Sequence, residues 1–504
     1  MADYYIVKLR DNRFGNSALA FEWHEDEVAF VSSDSCNEEL GGQPLSTDGL
    51  SVLTTFAGMS LAELSSRANG ALINLSGTHL NNGQRDQEPF FSSRGADNGG
   101  FRLETGNLMG VLRFRAPNGK ASVQVEVLSR FDKGKDNHFL NYLLSKVFNC
   151  ALIAEEVAAH RSSLLEVLLD ILFVRRLGEA ARGGLLRHYR EFRNNDWAFK
   201  GRLDLSRHIR ENVPLQHGIA YVKREIDFDV PVNRMILLAA LTVNHRHPTF
   251  FEDNPDAADA LRQLRMDVTE EHDLRMLLSR RDCREPVRHP FFREIWEPLR
   301  QIARMILEDE HWTLFNEATD DEEVSGVVFD GSWLWEEYVA TVLAKAGFRH
   351  GTSAEPVLRV FTNKPKRFIP DFYRLDGSGE QGCDTVLDAK YKRSNPRGQR
   401  EDVHQVLCYL LLTGATHGGL VFPPIKNEEI TKPSENGSSE DNIVEENDNG
   451  GWSVEQDIAS PDEKRKWACF SWAPIKPDNC DSWNSFCGYM QKQEEALVEG
   501  PPTA

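Results

Sequence analysis

Apolar and polar positions alternate in the first 136 residues at Tyr4–Arg10, Val28–Ser32, Leu108–Arg115 and Ala121–Leu128, the last with Val123, Val125 and Val127 on one side. Period-2 spacing predicts strands, and hence a β-rich domain over 1–136. Gly77–Gly100, rich in Gly, Asn and Ser, predicts a long loop, and Pro117-Asn118-Gly119 a hairpin turn. From 137 to 315 the period lengthens. Apolar positions in Phe139–Phe148, Ser163–Ala181, Leu185–Asn194 and Arg234–Asn244 recur at helical spacing and predict a helical middle domain. The acidic run 316–326 predicts a linker into a third domain, 327–490, that mixes both periods.

In that domain Gly331–Gly347 predicts a helix with Ser332 as N-cap and Gly347 as its stop. Its apolar face is Leu334, Trp335, Tyr338, Val339, Val342, Leu343 and Ala346. Two strands follow, one ending in Ile369-Pro370-Asp371 and the other in Asp388-Ala389-Lys390, with Gly377-Ser378-Gly379 as the turn between them. Glu401–Thr413 predicts a helix, and Gly418–Pro424 and Trp467–Ala473 predict buried strands. The stretch 427–463 carries twelve acids against one lysine and has the composition of a disordered insert. The expected fold class is therefore α/β and multidomain.

The chain has 504 residues, enough for two to four domains, with 40% hydrophobic and 27% charged residues, as in a soluble globular protein. No apolar run approaches the eighteen or so residues of a membrane span. The eight cysteines form no C-x-x-C pair and suit buried thiols in a reducing cytosol. With no signal-peptide pattern in MADYYIVKLRDNRF, a cytoplasmic location is expected. The net charge of −20 disfavours binding duplex DNA by bulk electrostatics. Around residues 364–400 the sign reverses, with Lys364, Lys366, Arg367, Lys390, Lys392, Arg393, Arg397 and Arg400 making a local basic rim. No G-x-x-x-x-G-K-[ST] is present, so nucleotide hydrolysis is not expected of this chain. His217, His245, His247, His272 and His289 lack paired metal-ligand spacing.

Alternation puts Asp388 and Lys390 on one side of a strand and Ala389 on the other, and the hairpin can bring Asp371 beside Asp388. Two carboxylates so close repel, and a hard divalent cation with oxygen ligands relieves them; Mg²⁺ fits. Glu336 falls at the margin of its helix's apolar face, within reach of the sheet or as an ordinary surface glutamate. Gln405 and Tyr409, with Asp402, share a helix face. They are either a satisfied buried pair or supports for a substrate or for the lysine. Gly201–Asn212, with Arg202, Arg207, His208 and Arg210, reads as a DNA-facing strip or as internal salt bridges.

The order Glu336, Ile-Pro-Asp371, Asp388-Ala-Lys390, Gln405-x3-Tyr409 resembles the PD-(D/E)xK restriction-endonuclease-like fold in its RecB-like branch. With Gly201–Asn212 and Asp229–Leu238 added, the chain resembles the McrC family, nuclease subunits of McrBC modification-dependent restriction systems, over roughly 100–425. The resemblance implies a Mg²⁺-dependent DNA endonuclease. Asp371, Asp388, Glu336 and the Ala389 carbonyl would hold the metal, Lys390 would assist the nucleophile, and Gln405 and Tyr409 would support the site. It also implies an AAA+ GTPase partner of the McrB kind, engaged through the N-terminal region and stimulated by this chain. The substrate would be double-stranded DNA carrying a 5-methylcytosine-type modification. Two other functions fit the same residues: a catalytically silent adaptor of an AAA+ partner, and a stand-alone RecB-like repair nuclease.

Overall fold

A computed structural model describes residues 3–14, 19–24, 27–31, 45–68, 71–76, 87–95, 101–116, 121–132, 137–148, 164–214, 218–288, 290–310, 324–351, 358–359, 367–375, 383–393, 400–426, 452–459, 466–477, 480 and 482–500. The chain forms two compact units, Met1–Leu164 with Asp321–Ala504, and Leu165–Asp320. Where three consecutive segments were expected, the first and last thus share one unit. The reason is a strand. Val324–Asp330, partly inside the expected linker, runs antiparallel to Leu108–Arg115 and parallel to Leu72–Asn74. The resulting five-stranded sheet continues through Ala121–Leu128 to Asp3–Arg10. Ala121–Leu128 is buried at every position, as a central strand covered on both faces should be. A second sheet in this region includes Ser92–Gly95, so part of the expected loop 77–100 is strand; 77–86 and 96–100, like the turn 117–119, lie outside the described residues.

The six-stranded sheet of the same unit has the order Arg349–His350, Phe372–Leu375, Cys383–Ala389, His417–Val421, Lys466–Trp472, Trp452–Ala459. Its three central strands, Cys383–Ala389, His417–Val421 and Lys466–Trp472, are parallel; the other pairings are antiparallel. The helix Arg400–Thr413 makes the crossover between the first two parallel strands. It lays Val406, Tyr409 and Leu410 against Tyr373, Val386, Leu420 and Cys469. Trp472 is an odd number of residues from Cys469 and so faces the other way. There it stacks at 6.5 Å on Trp335 of the helix Gly331–Leu343, whose indole Nε1 donates to the Val421 carbonyl at 3.2 Å. The sheet is therefore a middle layer between helices. Asp330, not Ser332, caps the latter helix: its carboxylate accepts from the Ser332 and Trp333 amides, which satisfies two otherwise orphaned donors. Gly347 follows with φ 77° and ends the turn, as expected. The acidic stretch expected as disordered contributes the edge strand Trp452–Ala459; 427–451 and 460–463, and the Gly377–Gly379 turn, lie outside the described residues.

The second unit packs Leu164–Arg182, Pro231–Arg246, Pro255–Asp267 and Pro290–Glu310 around an aliphatic and aromatic core. It is not all helical. Leu185–Asn194, read as a helix, lies mostly in the strand His188–Asp196, paired antiparallel with Ile219–Asp227, which also pairs with Arg202–Leu203. Leu185, Leu186, Tyr189 and Phe192 mimic helical spacing, but cross-strand pairing overrides it. Among the described residues no helix is long and apolar enough to cross a membrane.

Candidate active site

Register builds this site. Phe372 pairs with Leu387, Tyr373 with Val386 and Arg374 with Thr385, so one step further Asp371 lies opposite Asp388. Directly opposed residues of an antiparallel pair share a sheet face. For Val386 and Tyr373 that face is the apolar one under Arg400–Thr413. The face thus passes from hydrocarbon to two acids at its end. Asp371 Oδ2 accepts the Ala389 amide at 2.8 Å, which fixes the carboxyl across the strand end. Asp388, 1% exposed, is ion-paired with Lys390, Oδ2 to Nζ at 2.5 Å. The same Lys390 Nζ donates to Gln405 Oε1 at 2.9 Å. Gln405 Nε2 donates in turn to Asp388 Oδ1 at 3.2 Å and to the Tyr409 hydroxyl at 3.0 Å, and Tyr409 donates to the Ile369 carbonyl at 3.0 Å. A single amide side chain ties the acid, the lysine and the tyrosine together.

The electrostatics follow from burial. Asp371 is held well above the ordinary carboxylate value, by desolvation first, then by the charges of Asp388 and Glu336. Asp388 is also raised, by desolvation, against the pull of Lys390. For Lys390 burial works against the charge, but Asp388, Asp371 and Asp402 outweigh it and the ammonium is favoured. Tyr409 is pushed up to about 12, chiefly by burial. Asp402, in the first turn of the same helix, is buried and ion-paired with Lys392 at 2.5 Å. Burial is thus the first cause of the raised proton affinity of both facing acids, and for Asp371 the neighbouring negative charges add to it. Their donor set is all oxygen, which suits a hard divalent cation, and Mg²⁺ needs only one or two carboxylates beside water and phosphate. Among the described residues no group of three or more His, Cys, Asp or Glu side chains is gathered to hold a metal ion, so the facing pair Asp371 and Asp388 is the donor set the register itself brings together.

Glu336 stands apart from this network. Its Oε1 bonds the His350 Nε2 at 2.7 Å, and its charge is nonetheless felt by Asp371. His350 had no signal in the sequence, since its role depends on the two-residue strand Arg349–His350 pairing with Phe372 and Tyr373. Burial lowers the proton affinity of its ring, but Glu336 more than restores it, for a net rise.

The residue after the lysine is anchored in the N-terminal half. Tyr391 is buried, with its hydroxyl 2.8 Å from Ser129 Oγ and its ring 4.8 Å under the Arg130 guanidinium. Arg130 also donates to the Tyr391 carbonyl and pairs with buried Asp11 at 3.5 Å. Asp11 is raised to about 6 by burial, against Arg130.

The family model described as McrBC 5-methylcytosine restriction system component matches residues 103–423, nearly two thirds of the chain. The chain belongs to this McrBC family. Among solved structures, this McrBC component is similar to a refined half-complex from a tetradecameric assembly of Thermococcus gammatolerans McrB AAA+ hexamers with bound McrC, at 14% identity over 87% of this chain and 94% of that one (TM-score 0.44). It is also similar to a chain in the cryo-EM structure of the Thermococcus gammatolerans McrBC complex, at 13% identity over 68% and 88% (TM-score 0.30). No curated protein matches it.

In this McrBC chain the matched region holds Asp371, Asp388, Lys390, Gln405, Tyr409 and Glu336. Of the expected basic rim, Lys364, Lys366 and Arg397 lie outside the described residues, while Arg393 and Arg400 are exposed. In the strip Gly201–Asn212, Arg207 is turned inward onto the Asn194 and Tyr221 carbonyls and His208 onto Asn212, whereas Arg202 and Arg210 are exposed.

Proposed function

We propose that this McrBC component is the DNA endonuclease subunit of its system, with a restriction-endonuclease-like core of the PD-(D/E)xK kind. The observation that carries the reading is Asp371 opposite Asp388 with Lys390 Nζ bridging Asp388 and Gln405. Asp371 and Asp388 would hold a Mg²⁺ ion, with Glu336 as a third carboxylate and the Ala389 carbonyl as a further oxygen. When bound, such an ion supplies charge for a phosphodiester and a lowered pKa for water beside it. The protein's own part is positioning and charge. Lys390 keeps its proton and sets a fixed cation where an attacking oxygen and the growing charge on phosphorus would lie. Gln405 holds the lysine in place, and Tyr409, protonated at neutral pH, holds Gln405.

The family is that of a restriction system's components, and this sequence has no phosphate-binding loop of the Walker type. An AAA+ GTPase partner of the McrB kind, stimulated by this chain, is the proposed motor; modified double-stranded DNA is the proposed substrate and the cytoplasm the proposed location. The test is cleavage of 5-methylcytosine DNA by the full chain with its GTPase partner, GTP and Mg²⁺. Asp388→Ala and Lys390→Ala are expected to lower cleavage at least ~10²-fold while leaving stimulation of GTP hydrolysis intact. Undiminished cleavage by both variants overturns the endonuclease reading in favour of a silent adaptor.

A further inference from the structure

We propose that His350 is a positioning residue that holds the Glu336 carboxylate in the orientation needed to bind the cation. The inference rests on the endonuclease reading above. Glu336 lies on a helix, and a glutamate there is free to turn into solvent unless something binds it. His350 Nε2 lies 2.7 Å from Oε1, which engages one oxygen and leaves Oε2 for a ligand. Bonding a carboxylate requires the proton on Nε2.

The histidine is itself immobilised. It sits directly opposite Phe372 in the strand pairing, and its ring stacks on the Phe372 ring at 5.3 Å and 29°. The next residue completes the brace. The Gly351 amide donates to the Asp371 carbonyl at 2.8 Å, and a Cβ at 351 would meet the Pro370 carbonyl oxygen at 2.0 Å. Only glycine lets the two chains approach so closely. One dipeptide therefore fixes the main chain of Asp371 and the side chain of Glu336. Outer partners of this kind orient ligating carboxylates, and losing one weakens metal affinity by about 10- to 100-fold.

The test is Ca²⁺ binding to the full chain by calorimetry, without DNA, so that turnover is not the readout. His350→Phe keeps a ring over Phe372 and removes the donor; it is expected to weaken Ca²⁺ binding about tenfold or more. His350→Gln restores a donor and is expected to recover most of the affinity. Wild-type affinity in His350→Phe overturns the inference. So does wild-type affinity in Glu336→Ala when Asp388→Ala has lost binding, an outcome that leaves the endonuclease reading standing. Wild-type affinity in Asp388→Ala overturns that reading instead.

Discussion

At the end of the six-stranded sheet, Asp388, Lys390, Gln405 and Tyr409 are at least partly sequestered and bonded to one another. On the three-stranded sheet of the second unit and its flanking loops, Tyr189, Trp197 and Val213 stand more than 60% exposed, among Arg190, Arg202 and Arg210. The first region hides charge and the second displays hydrocarbon. Burying a charge costs free energy that only pairing recovers, so a buried acid pair is retained for what it does, not for what it stabilises. Exposed aromatic groups cost little folding free energy, and a cluster of them marks a surface. Stability should therefore respond to substitution in the first region and hardly at all in the second.

The largest effect is expected at the buried anchor behind Lys390. Arg130→Ala leaves Asp11 buried without its cation, at a cost of about 3–5 kcal/mol. The loss should depend on pH. Asp11 in the folded protein is raised from 3.8 to about 6, so its protonated form favours folding below 3.8 and that advantage fades as pH rises through about 6. Without Arg130 the acid rises further, and urea melts should show a larger defect at pH 8 than at pH 5. Equal defects at both would mean that Asp11 is not the group left stranded.

A smaller effect of opposite sign is expected inside the site. Asp371→Asn removes one of two repelling acids and should stabilise the protein without divalent ions by about 0.5–2 kcal/mol at pH 8, while abolishing cleavage. Asp371 is raised above its unfolded value, so the wild type should lose stability as pH climbs above the ordinary carboxylate value of 3.8, and the variant less so. A variant less stable than wild type at pH 8 would mean that the pair is already relieved. The smallest effect belongs to the second unit: Trp197→Ser should change stability by no more than about 0.5 kcal/mol in the same melts. A substantial loss there would make the indole part of a core and erase the contrast.

The candidate site was more legible in the sequence than the assembly of the chain. Asp371, Asp388 and Lys390 could be juxtaposed because a hairpin is local and alternation sets its faces. Gln405 and Tyr409 followed from helical spacing on the crossover. His350 could not be found this way, because a two-residue strand has no periodicity and its partner Phe372 is distant in the chain. Nor could the union of the first and last segments, since in sequence the neighbours of Val324–Asp330 come before all of residues 165–320. Leu185–Asn194 shows the converse failure, where a chance helical spacing concealed a strand that pairing selects.

The placement of Val324–Asp330 also bears on biosynthesis. Leu72–Asn74 and Leu108–Arg115 do not touch each other as neighbours; they flank a strand that leaves the ribosome only after the second unit has been made. Until then the nascent sheet has two raw margins with unpaired amides and carbonyls, the kind of surface that recruits other chains. A second unit that collapses quickly on its own would shorten that wait by bringing the missing strand near, so slow maturation of the insertion should appear as aggregation of the half that precedes it.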